Sequence, residues 1–228
     1  MVSVIIVSGG VGKRAKLSYP KQFYNLCGKT ILEICVSKFD NSSLVDNIII
    51  VSNSDFIEET KKTTDYFKKV KAIVDGGKTR SESVYNGLVY LKEFSPNLVL
   101  VHDAVRPFIS TNKIEEIIKC SKIFKNVVPI VDEKNTVSIT DNEKIIEMPE
   151  RTTIKIHQTP QCCDYNQLLK SYEKIKDKFD FFTDEASILL NSNISPFFIV
   201  GEESNIKITT DIDLMVAKLI YEEGEDVE

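Results

Sequence analysis

Ser8-Gly9-Gly10-Val11-Gly12-Lys13-Arg14 follows an apolar run from Val4 to Val7, and Pro20-Lys21-Gln22 lies shortly beyond it. A strand that empties into a glycine-rich, cation-bearing loop can turn backbone N–H groups and positive side chains onto one anion, with no Cβ in the way. That chemistry is the holding of polyphosphate. Gly10-x-Gly12-x-x-Ala15 also satisfies the dinucleotide fingerprint of an NAD-dependent oxidoreductase, in which a helix begins at once behind the glycines. Pro20 interrupts any helix begun at Gly12, because proline lacks the donor and clashes one turn back. The next strand, ending Ile50-Val51-Ser52-Asn53, offers no acid for a ribose. A Walker-type loop is excluded as well, since Gly12-Lys13 is followed by Arg14 in place of Ser or Thr. Two cations in one loop, Arg14 and Lys21, suit a triphosphate undergoing reaction better than a diphosphate held by a helix end.

The second chemically suggestive stretch is Leu98-Val99-Leu100-Val101-His102-Asp103-Ala104-Val105-Arg106-Pro107-Phe108. A residue at the carboxyl end of a buried strand faces the ligand crevice of an open α/β sheet, which places Asp103 where a reacting group would be. When a substrate supplies phosphate oxygens, Mg2+ needs only one or two carboxylates, and Asp103 can be one. Read structurally, Asp103 is instead a helix cap or a partner for Arg106, three residues on. His102 points to the opposite face of the strand and is read as structural. Gly76-Gly77 by itself reads as a strand-to-helix turn. No Ser/His/Asp or Cys/His pairing suggests nucleophilic catalysis.

Positioning these residues requires a wound sheet. Short β-branched runs at Val2–Val7, Asn47–Val51, Lys71–Val74, Leu98–His102, Val127–Val131 and Pro196–Val200 alternate with amphipathic stretches at Thr30–Phe39, Asp55–Lys68, Ser81–Leu91, Thr111–Phe124, Asp164–Lys176, Thr183–Leu190 and Asp211–Tyr221. That order predicts an α/β, Rossmann-like fold, a mostly parallel sheet with helices on both faces. Between Thr136 and Met148 the pattern switches to a hairpin turning at Asp141-Asn142, so residues 135–148 are expected to form an inserted β-arm. An isolated two-stranded arm is marginal, and a second subunit is its expected support. Residues 223–228 read as an acidic tail.

Composition narrows the classes further. With 228 residues, 42% of them hydrophobic, one domain over 1–228 is expected. A net charge of -5 argues against nucleic acid as partner. The sequence carries neither a signal-peptide pattern nor an apolar run of membrane-spanning length, so no membrane association is expected and a cytoplasmic location is. The five cysteines, including vicinal Cys162-Cys163, match neither a disulfide framework nor zinc spacing and are read as reduced.

Seven segments in order, Ser8 to Arg14, Pro20-Lys21-Gln22, Gly76-Gly77-Lys78-Thr79-Arg80-Ser81-Glu82-Ser83-Val84, Val101 to Pro107, Gln158-Thr159-Pro160-Gln161, Thr183-Asp184-Glu185-Ala186 and Asn205-Ile206-Lys207-Ile208-Thr209, resemble the 2-C-methyl-D-erythritol 4-phosphate cytidylyltransferase family across nearly the whole chain. The closely related pentitol-phosphate cytidylyltransferases share most of them. The resemblance implies a nucleotidyltransferase that moves CMP from CTP to a polyol phosphate and releases pyrophosphate. 2-C-methyl-D-erythritol 4-phosphate is the expected acceptor, with ribitol 5-phosphate as the alternative. It further implies Arg14, Lys21 and Lys207 as catalytic cations, and a CTP site built from Ser8, Gly9, Gly10, Gly12, Gly76, Gly77 and Ser83. Lys78 stands where the family commonly has an acid, so a backbone reading of the base is expected there. The implied acceptor site comprises Asp103, Arg106 and Thr183 with Arg151 and Thr136 from a neighbouring subunit's arm. Asp103 is also the implied ligand of Mg2+ or another divalent cation, and a homodimer is the implied assembly. A regulatory nucleotide-binding module would lack the metal and acceptor groups.

Overall fold

Strands rich in Ile and Val on both faces can only be satisfied by helices above and below the sheet, and that is the architecture of the computed structural model. The structure describes residues 1–10 and 19–225. Gly12 and Arg14 lie outside the described residues, as does the end of the tail.

From the N-terminus the elements are β1 (Val2–Ser8), β2 (Asn25–Leu26), β3 (Lys29–Thr30), α1 (Ile31–Asp40), β4 (Asn47–Ser52), α2 (Ile57–Thr64) and β5 (Val70–Asp75). Then come α3 (Arg80–Tyr90), β6 (Leu98–Asp103), α4 (Thr111–Phe124), β7 (Val127–Asp132), β8 (Ile139–Asp141) and β9 (Lys144–Glu147). The chain continues through β10 (Lys155–His157), β11 (Gln161–Asp164), α5 (Tyr165–Lys174), α6 (Glu185–Asn191), β12 (Phe197–Val200) and α7 (Asp211–Glu225). At the centre β1 runs parallel to β4 on one side and β6 on the other, and β5 extends the sheet beyond β4. On the far side of β6, β11 pairs antiparallel, and β7 joins it with β10 antiparallel and β12 parallel. Val7 is in register with Asp103, so the carboxyl ends of β1 and β6 deliver Ser8 and Asp103 side by side.

The alternation of the strands splits the core in two. Val4 and Ile6 pack with Leu32, Val36, Phe39 and Ile117 on the face covered by α1 and α4. Ile5 joins Val84, Leu88, Leu168, Tyr172 and Ile188 beneath α3, α5 and α6. Helix starts are fixed by side-chain caps. Thr30 and Glu33 form a reciprocal capping box at α1, and Thr79, Ser110, Asp164 and Asp184 accept from backbone N–H groups at α3, α4, α5 and α6. Each such cap contributes about 1 kcal/mol.

Helix α4 spans Thr111–Phe124 as expected and is capped by Ser110. Other boundaries differ from the sequence reading. The stretch Asp55–Lys68 is shorter, a 3-10 turn at Ser54–Phe56 followed by α2 ending at Thr64. Strands β10 and β11 had no signal, because Lys155–His157 is too short for periodicity and Gln161-Cys162-Cys163-Asp164 pairs small and polar side chains. They introduce the antiparallel component of the sheet. In the arm, Asn142-Glu143 makes the turn, one residue later than expected, with Asn142 in the left-handed region at φ 51°. Among the described residues no helix is long and apolar enough to cross a membrane.

Candidate active site

The carboxyl ends of β1 and β6, the loop after β5 and the segment before α7 enclose a cleft of about 540 Å³. Ser8, Gly9, Gly10, Lys21, Gly77, Ser83, Asp103 and Lys207 all line it, joined by Lys78, Thr79, Arg80 and Thr209. Lys21 is only 7% exposed. Its Nζ donates to the Thr209 carbonyl, and Thr209 is itself held by Asp213, whose Oδ2 accepts from the Thr209 N–H at 2.8 Å and its hydroxyl at 2.7 Å. Next to it, Gln22 Nε2 donates to the Ser8 carbonyl at 2.7 Å, tying the loop exit to the end of β1.

Asp103 is the hub of the opposite wall. Its Oδ1 accepts from Arg80 Nε at 2.9 Å and its Oδ2 from Lys207 Nζ at 2.7 Å, with Arg106 Nε 3.8 Å away. Burial alone would push the Asp103 carboxyl up, but the charges of Arg80 and Lys207 outweigh it and hold the group well below the usual carboxylate range. Arg80 continues inward, with Nη1 and Nη2 donating to Glu185 Oε1 and Oε2 at 2.8 and 3.3 Å. Glu185 is fully buried at the start of α6 and takes a further hydrogen bond from the Tyr172 hydroxyl at 3.1 Å.

Behind this wall, His102 is neutral. Burial pushes its imidazole down to about 4. Its Nε2 lies 2.9 Å from the Arg106 carbonyl, which can only accept, so Nε2 carries the proton and Nδ1 accepts from the Thr159 hydroxyl at 2.9 Å. The Thr159 oxygen in turn accepts from the Asp103 N–H at 3.2 Å. His102 is thus structural, as its place in β6 suggests, and it fixes the backbone on both sides of Asp103.

In the loop after β5, the Gly77 N–H donates to the Ser83 hydroxyl at 3.0 Å, and that hydroxyl donates to the Thr79 carbonyl at 2.8 Å. The Lys78 N–H donates to Glu82 Oε2 at 2.6 Å. Gly76 lies behind the cleft with its N–H on the Ser52 carbonyl at 2.7 Å. A Cβ on Gly77 would come within 2.2 Å of Glu82 Cγ and 2.5 Å of its Cβ, so Glu82 and the loop would have to move together. Gly77→Ala is expected to destabilise the fold by about 1–3 kcal/mol and raise the KM for nucleotide. Chemical denaturation together with steady-state kinetics checks both.

The remaining expected residues are spread more widely. Arg106 is fastened into the wall, with Nη1 donating to the Asn205 carbonyl at 2.9 Å. Thr183 is exposed, and its carbonyl accepts from Arg80 Nη1 at 3.4 Å. Thr136 and Arg151 are exposed at the base of the arm and do not line this chain's cleft, the Arg151 Nη1 donating to the Lys134 carbonyl at 3.3 Å. Arg80 and Glu185 had no role assigned from the sequence, although both stand in recognised segments. Each stands in the first turn of its helix, where nothing in the local pattern shows that the two meet. Gln158 and Asn205 went equally unassigned. Gln158 Nε2 donates to the Glu202 carbonyl at 2.8 Å, and Asn205 Nδ2 donates to the Thr159 carbonyl at 2.8 Å, joining the loop that carries Lys207 to the loop behind Asp103.

Among the described residues no three His, Cys, Asp or Glu side chains gather as a metal cage. A hard cation bound chiefly by substrate phosphates does not require one. Each Asp103 oxygen accepts one hydrogen bond, with Arg106 Nε a further 3.8 Å from Oδ2, and each has two lone pairs, which leaves acceptor capacity for a cation. Asp103 therefore fits as a single carboxylate ligand.

A profile of the 2-C-methyl-D-erythritol 4-phosphate cytidylyltransferase family matches residues 2–223. The protein of that name from Petrotoga mobilis is 42% identical over 224 residues, which cover 97% of this chain and 99% of its own. Among solved structures, the 4-diphosphocytidyl-2C-methyl-D-erythritol synthase of Anaerococcus prevotii superposes with a TM-score of 0.85 at 29% identity, over 97% of this chain and 96% of the other. The 2-C-methyl-D-erythritol 4-phosphate cytidylyltransferase of Francisella tularensis gives 0.82 at 32% identity, over 96% and 98%.

Proposed function

This chain belongs to the 2-C-methyl-D-erythritol 4-phosphate cytidylyltransferase family, and from that premise we propose how its residues divide the work of the reaction. The enzyme is a nucleotidyltransferase of the non-mevalonate isoprenoid route, moving CMP from CTP to 2-C-methyl-D-erythritol 4-phosphate. An oxygen of the acceptor phosphate forms a bond to the α-phosphorus of CTP, and the bond from that phosphorus to the β-bridging oxygen breaks as pyrophosphate leaves. A phosphate monoester is largely ionised at neutral pH, so the nucleophile needs no general base. The barrier is electrostatic, two anions brought together and a five-coordinate phosphorus stabilised.

Lys21 and Arg14 hold the triphosphate and stabilise charge on the leaving group, while Lys207 meets the reacting phosphates from the Asp103 side. Ser8, Gly9, Gly10, Gly12, Gly77 and Ser83 form the CTP site, with Gly76 setting the turn behind it and Ser83 shaping the loop so that backbone groups read the base. Asp103, Arg106 and Thr183 receive the acceptor. Asp103 is the residue that would hold Mg2+, which when bound would neutralise charge on phosphate oxygens. The observation that carries this reading is the convergence of Lys21, Lys207 and Asp103 on one cleft at the ends of β1 and β6. Pyrophosphate release with CTP and Mg2+ tests it. The largest kcat/KM should belong to 2-C-methyl-D-erythritol 4-phosphate, and a larger value for ribitol 5-phosphate would reassign the acceptor.

The active form is a homodimer built through the arm, working in the cytoplasm, where Cys27 and the buried Cys35, Cys162 and Cys163 stay reduced. In support, among the described residues β8 and β9 pair only with each other, and they present Ile145 and Ile146 at 65% and 63% exposure with Ile139 and Met148 beside them. Arg151 and Thr136 then reach the partner's acceptor site. If sites are shared in this way, mixing inactive Lys21→Ala protein with Arg151→Ala protein restores up to about a quarter of wild-type activity per site, because a hybrid dimer holds one site free of both changes. Activity no higher than that of the two variants assayed separately would confine each site to a single chain.

A further inference from the structure

Arg80 lines the cleft and Glu185 is buried behind it, and the reaction as described gives this charged pair no task. A guanidinium beside a carboxylate prefers to grip it through two parallel N–H bonds. Arg80 does this with Glu185 and touches Asp103 through Nε alone. Because the Nη groups are occupied by Glu185, Arg80 leaves Oδ2 of Asp103 uncontacted, and with Arg106 Nε no nearer than 3.8 Å Lys207 Nζ takes that oxygen at 2.7 Å. Glu185 can serve as a fixed anchor because it is fully buried and the Tyr172 hydroxyl occupies Oε1 from the other side.

We propose that Glu185 is a positioning residue for the transfer step: by engaging the Nη groups of Arg80 it keeps Arg80 single-contact on Asp103, and so reserves Asp103 Oδ2 to hold Lys207 in the cleft. The inference rests on the functional reading above, in which Lys207 meets the reacting phosphates. Without the Glu185 charge, Arg80 rotates onto Asp103 as a two-bond pair, and Lys207 loses its guide. When phosphates arrive in the native enzyme, Lys207 can pass from Asp103 to a phosphate oxygen while Arg80 keeps the Asp103 charge compensated.

A double-mutant cycle in the full-length enzyme tests this, with wild type, Glu185→Gln, Lys207→Ala and the double variant compared by kcat, by CTP titration and by thermal melting. Glu185→Gln should lower kcat about ten- to a hundredfold, the scale of a misplaced reacting group, and leave the CTP dissociation constant within about twofold. The double variant should then be no slower than Lys207→Ala alone, because Glu185 acts through Lys207. Fold losses that multiply in the double variant, or an unchanged kcat in Glu185→Gln, would overturn the proposal. Should Glu185→Gln fail to fold, Tyr172→Phe removes only the hydroxyl on Glu185 and is read in the same cycle, with an expected loss of about threefold that vanishes in the Lys207→Ala background. A wild-type enzyme that released no pyrophosphate would count against the functional reading; an active wild type with multiplying losses counts against Glu185 alone.

Discussion

Lys21→Ala is expected to lower kcat by about 10²–10³-fold while weakening CTP binding by less than about tenfold. The asymmetry follows from where the ammonium sits. Lys21 is buried, follows Pro20 directly and is aimed by the Thr209 carbonyl, which Asp213 holds in turn. A cation fixed in advance stabilises charge that develops in the transition state without reorganising, and an exposed lysine screened by water could not do so to the same extent. In the proposed site, ground-state CTP would retain its base contacts at Gly77 and the neighbouring loop, so affinity should suffer less. Single-turnover kinetics and calorimetric titration with CTP separate the two effects. An unchanged kcat would remove Lys21 from the transition state.

Asp103→Asn is the second large effect. Removing this charge leaves Arg80, Arg106 and Lys207 around a neutral amide, with Glu185 the remaining carboxylate of the cluster. Breaking a buried pair in this way costs roughly 3–5 kcal/mol, and kcat should fall by about 10²-fold if the proposed acceptor and metal contacts are lost together. The change also has a pH signature. In the wild type the Asp103 pKa lies below its unfolded value, so its contribution to stability is present above about pH 4 and is lost as pH falls further toward the folded value. Denaturation curves from pH 7 down to pH 3 should therefore flatten in the variant. A variant as acid-sensitive as the wild type would show that Asp103 is not the charged centre of this wall.

The parts of the molecule governed by local pattern were legible in the sequence. Continuous apolar runs such as Asn47-Ile48-Ile49-Ile50-Val51 lie buried between two helical layers, and the loops at their carboxyl ends form the cleft. What was not legible depends on distant pairing. Glu185 and Arg80 are 105 residues apart, and each alone resembles an ordinary first-turn charge. Their bond exists only because α3 and α6 pack on the same face of the sheet. Strands β10 and β11 escaped notice for a related reason. Cys162 and Cys163 become strand residues by lying against β6, with no periodicity of their own to announce it. Thr136 and Arg151 stand exposed at the base of the arm and do not line this chain's own cleft, so their expected role depends on a second subunit.

The most direct measurement is a crystal structure with CTP and Mg2+ bound. The account places the triphosphate within hydrogen-bond distance of Lys21 Nζ and Lys207 Nζ, the metal on Asp103, and the base against the backbone at Gly77. A nucleotide seated elsewhere, for example in the groove of about 630 Å³ between the β2–β3 hairpin and α7, or one whose phosphates leave Lys21 and Lys207 without contact, would contradict it.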